Sequence, residues 1–282
     1  MFNGDLKKNA LEQLEKSRKH YVLIAADVEK SCTELHAVRH KVSTELMATV
    51  ESFVSHLANS PKEFEKSYGT FKAETQSFCG LVRRLNIEAA NVEFTAGSSA
   101  AAGMAAGVGT AAFAPTAAMA VATTFGTAST GAAISGLSGV AATNAALAWL
   151  GGGALAAGGG GMSAGSALLA LAGPIGWGIG GAAIIGGSLY ARSKNKKIAD
   201  EALEHRVKIE ASTRTLGVAK DWVKRMIGST QQHANGMAEL LGVLIRTAPN
   251  NYLLFNAGQK EMLGALINHM NSLSKLLNKT PD

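Results

Sequence analysis

Between Glu93 and Arg192 the chain runs for 98 residues without a single Asp, Glu, Lys, Arg or His side chain. This uncharged segment, residues 94–191, contains 31 alanines and 23 glycines, together with many large aliphatic and aromatic residues. An ordinary hydrated linker does not carry that many large apolar side chains, because they gain free energy when they leave water. The segment therefore needs an apolar environment, which either protein or lipid can supply.

The charges are concentrated in the two flanks, and they are distributed unevenly between them. The whole chain carries a formal charge of +6, and residues 1–93 contain 13 basic and 13 acidic side chains. The excess of positive charge therefore lies after residue 191. A basic region attracts nucleic acid or an anionic membrane surface, and its position beside an apolar segment favours the membrane. We divide the chain into residues 1–93, 94–191 and 192–282.

The first flank has the spacing of long amphipathic helices. Its first stripe has steps of three or four residues and comprises Val28, Cys32, Leu35, Val38, Val42, Leu46, Val50, Phe53 and Leu57. A new helix is predicted to start after Asn59. Ser60 is placed as its N-cap, Pro61 is at the first helical position, and Glu63 completes a capping box. A second stripe continues through Phe64, Tyr68, Phe71, Thr75, Phe78, Val82, Leu85 and Ala89. The two stripes predict a long antiparallel hairpin.

The second flank has less regular helical spacing. Its first stripe comprises Ile198, Ala202, Val207, Ile209, Leu216, Trp222, Val223 and Ile227. We expect this helix to end near Gly228 or within residues 229–233, and another to begin around Met237. Residues 248–251 predict a further break, and a final seam contains Met262, Leu266, Met270, Leu273 and Leu277. The fold class predicted is all-α, a bundle of long amphipathic helices around or beside an apolar Gly/Ala-rich helical hairpin insert.

The uncharged segment is long enough to cross a bilayer more than once, since about 20 helical residues span the ~30 Å hydrocarbon core. The best candidate spans are residues 132–150 and 166–191, with 113–125 a weaker third. Glycine and alanine bury little area, so lipid and a water-excluding protein interior are both suitable surroundings. The side chains predicted to insert are Ile134, Leu137, Leu147, Trp149, Leu150, Leu168, Leu169, Leu171, Ile175, Trp177, Ile179, Ile184, Ile185 and Leu189.

Two local patterns support a membrane role for this segment. Gly161 and Gly165, like Gly176 and Gly180, are four residues apart, which lets a second helix approach closely. The segment then ends in a basic cluster at Arg192, Lys194, Lys196 and Lys197. Such a cluster anchors the end of a spanning helix at anionic headgroups. A solvated helix start in a bundle is the alternative interpretation of the same charges.

The sequence offers little chemistry for catalysis, so we expect neither an enzyme nor a cofactor. The pattern GxGxxG occurs at residues 176–181, but no strand and no βαβ unit surrounds it. His36 and His40 are four residues apart on a predicted helix; without a third ligand they are interpreted as exposed histidines rather than a metal site.

Cys32 and Cys79 are too few for a disulfide framework and are expected to be small buried residues. The first residues show no basic region followed by an apolar run, so no signal peptide is expected. These observations predict synthesis in the cytoplasm and association with a membrane in the active state.

The layout, with long amphipathic helices on both sides of one apolar insert, resembles the α-helical pore-forming toxins of the ClyA (haemolysin E) type. The resemblance is one of architecture, so no residue of that family is carried over, and this insert is larger than that of such a toxin. Residues 126–161 also look like a Gly/Ala-rich module found in assorted bacterial proteins. The resemblance implies a helical bundle that hides an apolar element, releases it into lipid and oligomerises.

The sequence thus favours a membrane-active, pore-forming or permeabilising helical protein. The expected partners are an anionic bilayer and either further copies of the chain or related helical subunits, with no nucleic acid. The alternative is a non-enzymatic scaffold or partner protein in which the uncharged segment is permanently buried.

Overall fold

A computed structural model describes residues 2–95, 123–124 and 192–281, with side chains for 4–83, 123–124 and 195–281 except residue 212. The long helices are α1 (Phe2–Lys41), α2 (Met47–His56), α3 (Lys62–Thr95), α4 (Arg192–Thr247) and α5 (Ala257–Leu277). A π-helical turn, Val42–Leu46, joins α1 to α2, and a 3-10 turn, Tyr252–Leu254, precedes α5. The described residues contain no β-strand, which confirms the all-α prediction.

The first helical rod contains one π-helical turn. Lys41 and Met47 on either side of it keep right-handed helical backbone angles, so α1, the π turn and α2 form one rod about 80 Å long. Buried residues recur every seven positions along this rod. One such series, Cys32, Arg39, Leu46 and Phe53, passes through the turn with its spacing unchanged.

Helices α1 and α4 run parallel, side by side. The guanidinium of Arg206 donates to Gln13, the hydroxyl of Ser17 donates to Glu210 at 3.3 Å, and Lys220 pairs with Asp27 at 3.1 Å. In each pair the partners are separated by 193 residues. A constant offset means that the two helices keep one register and point in the same direction.

Helix α4 is continuous through the region where the sequence predicted a break, so that prediction was wrong. The buried seam repeats every seven residues, a spacing that suits long helices wound around one another. It comprises Ala202, Ile209, Leu216, Val223, Thr230, Met237 and Leu244. The buried hydroxyl of Thr230 donates a hydrogen bond to the Met226 carbonyl at 2.7 Å. Val207, which the sequence placed in the stripe, is 58% exposed.

The helices form two hairpins that lie against each other. Helix α3 returns along the first rod, where Lys72 pairs with Glu51 at 3.0 Å. Helix α5 returns along α4, where the Gln259 side chain donates to the Thr247 carbonyl at 2.8 Å. Residues of both flanks share one core, whose members include Phe53, Phe64, Phe71, Leu241 and Leu266.

The turns of the two hairpins meet at one end of the molecule. The predicted breaks are confirmed, since α2 ends at His56 and α4 at Thr247. A parallel bridge joins Ala58 to Asn251, whose side chain also accepts from Asn59 at 3.1 Å. The predicted capping box is not observed, because the Ser60 hydroxyl donates to the carboxylate of Glu65 at 2.7 Å. The uncharged segment leaves from the end of α3 and returns at the start of α4, away from these turns.

Candidate functional site

The uncharged segment contacts the helices at Thr123 and Thr124. These two residues are helical, and only 3% and 1% of their surfaces are exposed. The side chain of Thr124 is hydrogen-bonded to the thiol of Cys32, which is completely buried in the stripe of α1. Burial raises the pKa of Cys32 to about 12, so the thiol is neutral. This contact joins the segment to α1. Cys32 is buried as predicted, whereas Cys79 is only half-buried, so that the prediction was wrong for Cys79.

The basic cluster lies in the first turns of α4. Lys196 and Lys197 are exposed, and the ammonium of Lys197 is 4.0 Å from the carboxylate of Glu201, one turn further on. Both partners of that pair are largely in solvent, where such a pair is worth little. Arg192 and Lys194 belong to the helix, and their side chains lie outside the described ones. The two described lysines can therefore reach an anionic surface.

Large apolar side chains are exposed on the same half of the molecule. They lie within residues 6–23 of α1 and 203–218 of α4 and comprise Leu6, Val22 and Leu23 on α1 with Leu203, Val207 and Val218 on α4. Ile245, Leu253 and Leu254 are exposed near the hairpin turns. Leu23 and Val218 are 66% and 70% exposed. The register of α1 with α4 places these two residues at nearly the same height.

The residues predicted to insert into lipid all fall outside the described residues. The same holds for the glycine pairs Gly161/Gly165 and Gly176/Gly180. Among the helices that the structure does describe, none combines the length and the apolar character needed to span a bilayer. Both sets stay predictions.

A buried arginine ties α1 to the end of α5. Arg39 is 1% exposed, and its guanidinium donates to the carbonyl oxygens of Leu276 at 2.8 Å and Lys279 at 2.7 Å. A cation is favoured there because the carbonyl end of a helix carries partial negative charge. Burial lowers the pKa of Arg39 to about 10, which leaves it charged at neutral pH. Beside it, Asn278 donates to the carboxylate of Glu74 at 2.6 Å.

His36 is buried beside this arginine, which corrects the prediction that it is exposed. Packing against α3 leaves the residue 8% exposed, whereas His40 is exposed as predicted. The imidazole packs on Phe78 with ring centroids 5.5 Å apart, and its Nδ1 has no hydrogen-bond partner. Burial, with smaller contributions from the charges of His40 and Arg39, lowers the pKa of His36 to about 4.

A second histidine pair joins α4 to α5. The Nδ1 atoms of His233 and His269 are 3.0 Å apart, and the ring centroids are 5.2 Å apart. A Cβ placed on Gly236 would lie 2.6 Å from the ring of His269, so the glycine makes room for that ring. Burial and the charge of His233 lower the pKa of His269.

Sequence reasoning missed these polar groups for different reasons. Arg39 lies seven residues after Cys32, so its position in the heptad was a signal that could have placed it in the core. Val38, which the stripe included instead, is only half-buried. His233 and His269 are separated by 36 residues on different helices, and no local pattern connects them.

Comparisons with models of protein families, with curated proteins and with solved structures found no match to this chain.

Proposed function

We propose that this protein is a membrane-active helical protein that stores its uncharged segment against the helices and releases it into a bilayer. In the bilayer the segment, with residues 130–191 as its inserting part, permeabilises the membrane as an oligomer. This proposal agrees with the architectural resemblance to the ClyA type of toxin. The observation that carries it is the stretch of 98 uncharged residues that ends in a basic cluster on an exposed helix start.

The contact between Thr124 and Cys32 supports the stored state. It buries Thr123 and Thr124 of the uncharged segment against the stripe of α1. Threonine and cysteine make only a modest hydrogen bond, worth about 1 kcal/mol net, so this contact does not prevent release. We propose that the segment withdraws from α1 as a whole when it enters lipid.

The exposed side chains near the start of α4 support attraction to a membrane surface. Lys196 and Lys197 provide positive charge, and each basic residue near an anionic surface contributes about 1 kcal/mol. Leu203 and Val207 are exposed on the following turns of the same helix and add apolar contact. The approach to an anionic bilayer would thus bring the end of the uncharged segment to the headgroups.

A dye-release assay tests the proposal. Purified protein is added to vesicles of phosphatidylcholine with or without phosphatidylglycerol, at neutral pH, at acid pH and after limited proteolysis. We expect leakage that is faster from the anionic vesicles and strongly reduced by Ile184→Asp, because a carboxylate is costly in the bilayer core.

Ile245→Asp provides the matched control. Ile245 is 51% exposed near the hairpin turns, so the same substitution there should leave leakage and stability unchanged. Absence of both leakage and lipid binding under every condition would contradict the proposal. Equal leakage by Ile184→Asp and the wild type would exclude the assigned role of residues 130–191.

A scaffold or partner protein is the second candidate. The burial of Thr123 and Thr124 favours it too, since a permanently buried segment would make the same contact. Hydrogen exchange distinguishes the two functions. Slow exchange throughout residues 94–191 that is unaffected by vesicles favours the scaffold, and loss of protection on vesicle binding favours release.

A further inference from the structure

The imidazoles of His233 and His269 face each other across the α4/α5 interface. Their Nδ1 atoms are 3.0 Å apart and share a hydrogen bond, and both residues are half-buried, so that water can still reach the pair. A neutral imidazole offers one nitrogen lone pair to a metal ion, and imidazole suits Zn²⁺, Ni²⁺ and Cu²⁺.

The spacing of the two nitrogens matches what a single ion requires. Metal–nitrogen bonds of about 2.0–2.1 Å with bond angles between about 90° and 110° hold two ligand nitrogens about 2.8–3.4 Å apart. The observed separation of 3.0 Å lies within that range. An ion would take the place of the hydrogen that one Nδ1 donates to the other, and that proton would pass to water.

Gly236 leaves room for the imidazole of one of the two ligands. The ring of His269 occupies the space where a side chain at position 236 would begin, since an added Cβ would be 2.6–2.7 Å from two of its ring atoms. The ring therefore lies directly on the backbone of α4, one turn from His233. A ligand that is positioned before binding loses less conformational freedom when the ion arrives.

We propose that His233 and His269 form a two-histidine site for a first-row divalent ion that clamps α4 to α5. No group of three or more His, Cys, Asp or Glu side chains suited to a metal occurs in the described part of the chain, so water would fill the remaining positions. This inference does not depend on the proposed membrane function, because both histidines belong to the second hairpin and neither belongs to residues 94–191.

The histidine pair that the sequence suggested is a poorer site. His36 and His40 have ring centroids 6.4 Å apart, and His36 is buried next to the guanidinium of Arg39. A second cation in that position would be repelled. The pair on one helix therefore stays without a metal role, and the proposed site lies at the interface between two helices.

Titration of the untagged full chain with Cu²⁺ and Zn²⁺ tests the site. We expect one tight ion per chain, with an electron paramagnetic resonance spectrum of the copper form that shows coupling to two nitrogens. His233→Ala and His269→Ala should each weaken binding at least about tenfold and remove the two-nitrogen coupling, whereas His40→Ala should change neither.

Gly236→Ala keeps both imidazoles but displaces the ring of His269, so it should also weaken binding. Circular dichroism of each variant shows whether its helices are intact, which separates a lost ligand from a lost fold. Affinity that is unchanged in either histidine variant, or a copper spectrum without two coupled nitrogens in the wild type, would overturn the proposal.

Discussion

A disulfide between residues 32 and 124 is expected to abolish vesicle leakage, and its reduction is expected to restore it. In a Cys79→Ser background, Thr124→Cys places a second thiol where the Thr124 side chain now bonds to Cys32. Residues in such direct contact are near the Cβ separation of about 3.5–4.5 Å that a disulfide needs. The bond would tether the uncharged segment to α1, so that it could not withdraw into lipid.

The redox comparison uses one protein in two states, so that differences in expression or folding cancel. Leakage is measured on vesicles after complete oxidation, verified by mass, and again after addition of a reductant. A chain that also carries Cys32→Ala cannot form the bond and should leak equally in both conditions. Equal leakage by the fully oxidised and the reduced protein would show that this contact need not open.

Acid is expected to destabilise the fold through His36. Because the folded-state pKa of about 4 lies below the ordinary value of about 6.5, the unfolded chain binds the proton first as the pH falls. The free energy of unfolding should therefore be unaffected by this group near pH 7, and should fall through the window between pH 6.5 and 4. At pH 4 the loss from this one residue amounts to about 3 kcal/mol.

Urea unfolding at a series of pH values isolates this contribution. The His36→Gln variant lacks the titrating group, so its stability should fall by about 3 kcal/mol less than the wild type between pH 7 and pH 4. His20→Gln removes an exposed histidine more than four turns from His36 and should follow the wild-type profile. A His36→Gln profile that is parallel to that of the wild type would refute the assignment.

The fold follows from the sequence wherever large apolar residues mark the seam. Phe64, Phe71 and Phe78 are buried as the stripe of α3 predicts, and Pro61 and Pro249 lie in the observed turns. The continuity of α4 was missed because two positions of its seam are Ala202 and Thr230, which carry little hydrophobic signal. Apolar residues outside the seam, such as Val207, obscured the heptad.

The side-chain arrangement of the sites depends on contacts between distant parts of the chain. Arg39 can be buried because the carbonyls at the end of α5 accept the hydrogen bonds that water would otherwise accept from its guanidinium. Those carbonyls are more than 230 residues away in the sequence. The parallel pairing of α1 with α4 also depends on distant contacts. Its partners are 193 residues apart, so no local sequence pattern indicates the pairing. Spacing along one helix identifies its faces but does not identify their partners.

The most direct test of the stored and released segment is a depth measurement at residue 184. A chain with Ile184→Cys, Cys32→Ala and Cys79→Ser is labelled with an environment-sensitive fluorophore and mixed with anionic vesicles. We expect a blue-shifted emission that nitroxides on the lipid acyl chains quench and aqueous iodide does not. A label on vesicle-bound protein that stays open to iodide and insensitive to the acyl-chain nitroxides, at neutral and at acid pH, would contradict membrane insertion.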